Sequence, residues 1–390
     1  MGINLSKVSN SIRGLINRND LSLQDIDKIN TLMQQVNNIL FHNPMLKFQA
    51  SHDCTTLEGL EEFRSETECI LKIWKDFEAL SAGNYANKQF AEIYVFFKYV
   101  DPEIIYEKVV SHFESLSIDI KEQFVRVRKG YLFINEELDY KNGDYSLIKR
   151  HVDVMCNRVE DYKWLYNRLG DWRSRVILNE VITYWFRFDL DRLWTLQENI
   201  FPEYYDVDLI SCNSEEVFVD LGAYIGDSTI NFIDAFGTYK RIYSYELAPG
   251  TYKQLEANLS GIANITLKNK GVGDRNETIY IEDTELEVGN SIARKGNCPV
   301  ELVTLDDDID EPVTCIKMDI EGAEKDALCG ARNHIINEKP KLLICAYHIP
   351  EDIFDIPRII TDMRDDYKLY LRYDGKPGLI WPCDYVLYAI

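Results

Sequence analysis

Near residue 215 the periodicity of this chain changes, and that change limits the folds open to it. Pro44 and Pro102 are the only prolines before residue 202, and nine of the eleven follow. A long proline-poor stretch reads as helices. "LSLQDIDKINTLMQQVNNIL" places Ser22 three residues before Asp25, an N-terminal capping signature, and then repeats apolar residues at helical spacing. In "DPEIIYEKVVSHF", Asp101 takes the N-cap position and Pro102 the first helical one. Further helical runs cover about 57–80, 145–170 and 174–200. From "EVFVDLG" onward, short apolar strands alternate with amphipathic helices: "RIYSYEL", "ITLKNKGV", "VTCIKMD" and "KLLICAYH" are each followed by a helical pattern or a loop. Such alternation builds a parallel sheet covered by helices on both faces. The closing pair "YKLYLRY" and "DYVLYAI" is joined by a loop too short for a crossover helix, so these two strands should run antiparallel. At 390 residues two domains are expected, a helical region over 1–205 and an α/β domain over 206–390.

The composition narrows the partners. A net charge of −22 opposes binding to nucleic acid or to an anionic membrane. No stretch reaches the ~20 apolar residues that span a bilayer. "MGINLSKVSNSIRGLINRND" lacks the apolar run and cleavage site of a signal peptide, although Met-Gly with Ser6 matches a short myristoylation pattern. The nine cysteines are scattered and never spaced C-x-x-C, so neither a disulfide framework nor a zinc site is indicated and a cytoplasmic setting is expected.

Ligands of open α/β sheets bind at the carboxyl ends of the strands. The first such end is Asp220-Leu221-Gly222, leading through Ala223 to Gly226 and into a helix opened by Asp227 and Ser228. The glycines are spaced G-x-x-x-G, which is not the G-x-G-x-x-G of dinucleotide sites. Two aspartates beside a phosphate would cost Coulomb energy, whereas beside a cationic nucleoside they would favour binding. Glu246, followed by Leu247, closes the second strand, where a carboxylate accepts hydrogen bonds from a ribose; a helix-dipole role is its alternative. The fourth strand of the α/β series ends at Asp319, with Glu321 and Glu324 placed at i and i+3 so that their carboxylates can share a helical face.

"VFVDLGAYIGDST", "YSYELAP", "IKMDIEGAEKDALCGA" and the close "YKLYLRYDGKPGLIWPCDYVLYAI" together resemble the FkbM-type S-adenosylmethionine-dependent methyltransferases, from about residue 215 to the end. The resemblance implies a class I methyltransferase fold: a Rossmann-like, seven-stranded α/β sheet with a reversed last strand, here preceded by an all-helical region. It further implies S-adenosyl-L-methionine as methyl donor and a hydroxyl acceptor. Residue by residue, it puts the donor's methionine moiety along Asp220, Gly222, Ala223 and Gly226, its ribose on Glu246, and its adenine near Gly271-Val272-Gly273-Asp274. The segment containing Gly289-Asn290-Ser291, Arg294 and Lys295 reads either as a cover over the donor or as a surface hairpin.

In that layout Asp319 stands beside the transferred methyl group and orients the acceptor, with Glu321 near it. His348 ends the neighbouring strand, so it is expected to approach Asp319 and to act as general base, unless Asp352 engages its ring instead. Asp306, Asp307 and Asp308 read as a solvated turn, and no metal ion is expected. Trp164, Trp172, Trp185 and Trp194 fall in one aromatic helical stretch. Most of these should pack between domains, with Tyr162, Trp164, Tyr166 and Arg173 as candidates for one wall of an acceptor cleft. The expected reaction is O-methylation of a sugar, glycan or glycosylated lipid. A specialised metabolite such as a polyketide is the alternative acceptor, and an NAD-dependent redox enzyme and a non-catalytic interaction module are the competing readings. An oligomer is compatible with all of these.

Overall fold

The computed structural model describes residues 5–18, 20–41, 56–130, 136–188, 192, 195–196, 200–281, 298–375 and 384–390. The chain divides into two compact units. One is Met1–Val109 with Met155–Val159, the other Val110–Val154 with Glu160–Ile390. The expected boundary at 205/206 falls ahead of the change of period near residue 215, whereas packing groups residues 160–205 with the sheet.

The first unit is helical. Helices Leu5–Ile16, Leu23–Leu40, Leu57–Leu80 and Tyr85–Tyr99 form it, and the second opens with the capping box read from Ser22 and Asp25. Its core holds Ile12, Ile29, Phe63 and Phe90. Trp74 is buried there as well, and its indole N–H donates to Asn37 at 2.9 Å, so the one polar atom of that ring is satisfied.

The second unit is built on a seven-stranded sheet. In chain order the described strands are β1 (Val217–Leu221), β2 (Arg241–Tyr245), β3 (Ile265–Lys268), β4 (Gly271–Val272), β5 (Glu277–Ile281), β6 (Cys298–Val303), β7 (Cys315–Met318), β8 (Lys341–Cys345), β9 (Leu369–Tyr373) and β10 (Tyr385–Ala389). The large sheet runs β3-β2-β1-β7-β8-β10-β9. All neighbours are parallel except β10, which is antiparallel to both β8 and β9. This is the class I methyltransferase order with its reversed last strand. The sequence reading of "ITLKNKGV" as one strand needs correction: it breaks at Asn269-Lys270 into β3 and β4, and β4 joins a second sheet of order β4-β6-β5. β5 and β6 pair antiparallel, while the segment between them, with Gly289, Asn290, Ser291, Arg294 and Lys295, lies outside the described residues.

Helix Trp172–Arg187 packs on β9. Leu169 bridges to Leu369, the Gly170 N–H donates to the Leu369 carbonyl at 2.8 Å, and the Leu371 N–H donates to Ser174 Oγ at 2.9 Å. The aromatic helices upstream of the sheet are thereby tied to its β9 edge. On one face of the sheet, Phe218 of β1 stacks on Phe232 of helix Asp227–Phe236 with ring centroids 4.0 Å apart, and Tyr205 and Phe236 close around the pair. Because neither Phe218 nor Phe232 is exposed, Phe232→Ala leaves a cavity with little means of collapse. It should lower the stability of this unit by ~3–5 kcal/mol, read as an earlier urea midpoint by tryptophan fluorescence with the helical unit's far-UV signal retained.

Candidate functional site

At the carboxyl ends of β1, β2 and β7 lies a cleft of about 310 Å³, within the range of small-ligand sites. Its walls include Gly222, Asp227, Ser228, Glu246, Leu247, Asp319 and Glu321, all singled out from the sequence. Asp220, Ala223, Gly226, Gly273 and His348 are not among the lining residues, and neither are Trp164, Tyr166 and Arg173.

Asp220 is the most consequential of these differences. It is fully buried, and its carboxylate faces inward, accepting hydrogen bonds from Ser228 Oγ and Thr229 Oγ1 at 2.7 Å each. Lys317 Nζ lies 3.1 Å from its other oxygen. The negative charge read as a cation-binding feature is therefore met by a lysine of the protein itself. Lys317 also donates to the Gly222 carbonyl at 2.8 Å and sits 4.9 Å from the Tyr204 ring centroid. Burial works against its ammonium form, but Asp220 and Asp319 outweigh that and raise its pKa.

The glycines are required by packing as much as by ligand approach. Gly222 has φ +77, and a Cβ there would stand 1.9 Å from the Asp319 carbonyl oxygen. Gly226 has φ +95 and faces Leu255 and Leu259. Between them the chain turns back so that the Gly222 and Ala223 N–H groups both donate to the Tyr245 carbonyl. Gly273 follows β4 and donates to the Val303 carbonyl at 3.0 Å, whereas Gly271 and Val272 of β4 do line the cleft.

Glu246 holds the position predicted for it. One carboxylate oxygen accepts the Tyr224 N–H at 3.1 Å and the other the Ala248 N–H at 2.8 Å. The second bond is the helix-terminus role that the sequence offered as an alternative. Burial pushes its pKa up to about 7, with the two backbone donors pulling the other way.

Asp319 is the centre of the other end of the cleft. It accepts Tyr204 OH at 2.7 Å and Tyr347 OH at 3.3 Å. His348 Nε2 lies 3.2 Å from its Oδ1. Burial favours the neutral acid, but His348 and Lys317 outweigh it and hold the carboxyl well below the usual range. The His348 ring is buried behind Asp319, with Nδ1 2.9 Å from Glu324 Oε1 and Nε2 3.6 Å from Glu321 Oε2. Burial would neutralise the imidazole, yet Glu324 and Asp319 raise its pKa well above the ordinary value. The geometry does not favour the general-base role expected of His348, because both ring nitrogens face carboxylates and the ring is not among the residues lining the cleft.

Glu321 and Glu324 do not share a helical face. Glu321 precedes the helix Glu324–Gly330 in a left-handed conformation with φ 57, and burial pushes its pKa up to about 7. Glu324 is fully buried and accepts the Ile320 N–H at 2.9 Å. Asp352 pairs with Lys325 at 2.9 Å and accepts the Ile349 N–H, leaving the His348 ring to the other carboxylates. Asp306 caps the helix Arg332–Glu338 through the Asn333 and His334 N–H groups, and Asp308 holds Lys268, Lys270 and Tyr245. Both are structural.

The proposed aromatic wall lies elsewhere. Arg358 stacks 3.7 Å above the Trp164 ring and pairs with Asp161, Tyr166 is buried beside Arg175, and Arg173 reaches Asp206 at 3.8 Å. Tyr162 is buried and donates to Asn179, and Trp194 lies outside the described residues. The cleft's aromatic rings are instead Tyr204, Tyr224, Tyr245 and Tyr347. A lysine inside the apolar strand "CIKM" was the legible sign of a buried partner, and Tyr347 sits within a strand end already marked for His348. Tyr204 carries no periodic signal.

Residues 220–368 match the model of the "Methyltransferase FkbM domain" family. Among solved structures, the chain is similar to a methyltransferase FkbM from Methylobacillus flagellatus KT, with 26% identity and a TM-score of 0.53, over 62% of this chain and 62% of that one. Lower likenesses include a putative methyltransferase from Streptococcus mutans in complex with SAH, at 13% identity and a TM-score of 0.30 over 46% of this chain and 90% of that one. Fibrillarin from Aeropyrum pernix with natively bound S-adenosyl-L-methionine gives 13% identity and a TM-score of 0.31 over 46% and 70%. No curated protein matches the chain.

The buried ion pair makes a direct prediction. Lys317→Met leaves Asp220 charged and uncompensated and should cost ~3–5 kcal/mol of stability. Adding Asp220→Asn should recover part of that loss, because the pair and not the lysine alone is the unit. A double-mutant cycle by urea denaturation measures it, and strictly additive losses would refute the coupling.

Proposed function

From a methyltransferase FkbM domain at residues 220–368 we propose that the chain is an S-adenosylmethionine-dependent O-methyltransferase acting on a hydroxyl of a sugar, glycan or glycosylated lipid. The observation that carries this reading is the pairing, in one cleft, of Glu246 at the end of β2 with Asp319 at the end of β7. When bound, the donor supplies an electrophilic methyl group on a sulfonium. Glu246, with its ring of backbone donors, would hold the ribose, and Gly222, Asp227 and Ser228 would border the amino-acid end. Asp319, ionised and steadied by Tyr204 and Tyr347, would accept the hydrogen bond of the acceptor hydroxyl and aim its lone pair. That contribution is orientation, which lowers the entropic part of the barrier.

Charge supports a neutral acceptor. Glu203, Asp227, Glu246, Asp319, Glu321 and Asp384 line the cleft, and its two lysines are engaged, Lys270 by Asp308 at 2.9 Å and Lys317 by Asp220 at 3.1 Å. A phosphorylated or sulfated acceptor would meet repulsion there. Uncharged polyhydroxyl surfaces fit better, and the four tyrosines offer them stacking faces. Nucleotide redox chemistry is disfavoured by the loop spacing and the reversed β10.

Calorimetry should show S-adenosylmethionine or S-adenosylhomocysteine binding, weakened by ~1–3 kcal/mol in Glu246→Ala through loss of charged hydrogen bonds. Stronger binding of NAD than of either nucleoside would overturn the reading.

Donor affinity should also depend on pH. Burial pushes the Glu246 pKa up to about 7, and only its ionised form offers both oxygens as strong acceptors to the ribose hydroxyls. The stability it contributes in its protonated form is present below its ordinary carboxyl pKa and is lost as pH rises through about 7. Donor affinity should therefore rise ~10-fold or more from pH 5.5 to 8. Glu246→Gln should flatten most of that slope, with Glu321 accounting for any remainder.

A further inference from the structure

His348 is surrounded in a way that its use as a hydrogen-bonded strut does not require. The ring is 1% exposed, with one carboxylate at Nδ1 and two facing Nε2. The carboxyl groups of Asp319, Glu321 and Glu324 all face one imidazole. Lys317 is engaged by Asp220 and the Gly222 carbonyl, and Lys325 by Asp352 and Asp355.

Spacing points the same way. Two ligand atoms in adjacent positions on an octahedral divalent cation, with bonds of ~2.1 Å, stand ~3.0 Å apart. Asp319 Oδ1 and His348 Nε2 are 3.2 Å apart. Glu321 Oε2, at 3.6 Å from the same nitrogen, belongs to a side chain 27% exposed at the cleft wall and so is able to adjust. On the far side, Glu324 Oε1 faces Nδ1 at 2.9 Å. A carboxylate on the second ring nitrogen is the arrangement that fixes the tautomer and orientation of a metal-bound histidine. Glu324 is fully buried, and its Oε2 has no hydrogen-bond donor. Among the described residues, donor atoms of Asp319, Glu324 and His348 all lie within 4.8 Å of one another.

We propose that the chain binds one divalent cation of the manganese class through His348 Nε2, Asp319 and Glu321, with Glu324 as the outer partner of His348, and that its open positions face the cleft. A histidine with two carboxylates suits such an ion better than a purely oxygen-seeking one. This departs from the sequence expectation of no metal. The site stands on its own geometry, but its role rests on the methyltransferase reading. That role is to hold and acidify the acceptor hydroxyl: its proton passes to water, the oxygen lone pair bonds the methyl carbon, and the carbon–sulfur electron pair stays on sulfur.

The test is manganese titration of the full chain after chelation and desalting, followed by the loss of the free-ion signal in electron paramagnetic resonance and by native mass spectrometry. One manganese per chain is expected. Glu321→Gln and Glu324→Gln should each weaken binding ~10–100-fold, and His348→Ala should abolish it. Lys325→Ala should leave it unchanged. Calorimetry with S-adenosylhomocysteine on the same samples reports whether each variant is folded and whether the donor site exists. Donor binding without manganese binding, or manganese binding unaltered in both Glu321→Gln and His348→Ala, overturns the proposal. Manganese binding without donor binding leaves the ion site standing and removes the methyltransferase reading.

Discussion

The ion pair between Lys317 and Asp220 is the constraint from which the rest of the site follows. It joins β7 to β1 at the point where both strands end, with no water to screen it, since the side chains are 2% and 0% exposed. A pair this deep persists only if the remaining donors and acceptors are satisfied. Ser228, Thr229 and the Gly222 carbonyl do that, and in doing so they fix the loop after β1 and the first turn of the following helix. Gly222 must then lie flat against the Asp319 carbonyl, because any side chain there would collide with it. Two strand ends that read as separate motifs in the sequence are thus one physical unit. The loop side of the cleft cannot move without moving the Asp319 side.

Much of this architecture was legible because it follows from period and punctuation. The capping box at Ser22, the crossover alternation after residue 215 and the short final connection each have a local cause, and each is found. The second sheet was not legible, because β4 is only two residues long and its partner β6 comes after a long segment. At the site, the positions of Glu246, Asp319 and His348 could be read from strand ends, while their environments could not. Whether a carboxylate faces a ligand or a buried lysine depends on which way one side chain points. Asp220 shows this most plainly: it lies near the end of β1, and its carboxylate is engaged inside the protein by Lys317, Ser228 and Thr229. The tryptophan-rich stretch differs for another reason: its helix Trp172–Arg187 packs on β9, and Trp164 lies under Arg358 instead of lining the cleft.

His348 illustrates how one additional carboxylate changes a role. With Asp319 alone beside it, the imidazole would be a base of adjusted strength. With Glu324 on the opposite nitrogen, both ring positions face negative charge, and either a proton or a cation must occupy the Nε2 side. Sequence spacing had put Glu324 on a helical face with Glu321. The left-handed backbone at Glu321 and Gly322 delays the helix start and turns Glu324 inward instead. Asp319, Glu321 and Glu324, in the turn after β7 and the helix it leads into, therefore decide whether the histidine serves as base, strut or ligand.

Backbone strain marks the cleft independently of any of these assignments. Among the described residues, seven other than glycine have positive φ, and four of them, Tyr204, Tyr224, Glu321 and Asp384, line this one cleft. Each such conformation costs on the order of 1 kcal/mol or more and persists only where the surroundings hold it. Tyr204 shows how it is held. Its N–H donates to Asp374, its carbonyl accepts from Tyr388 and its hydroxyl donates to Asp319, so the left-handed turn is fixed at three points. The effect is to carry a phenol from the segment before β1 across the sheet edge to the end of β7. An extended backbone at that position would send the ring elsewhere and leave Asp319 without its shortest hydrogen bond. Strain of this kind contributes nothing to stability, so its concentration around Glu246 and Asp319 is best explained by what those two carboxylates must be positioned to touch.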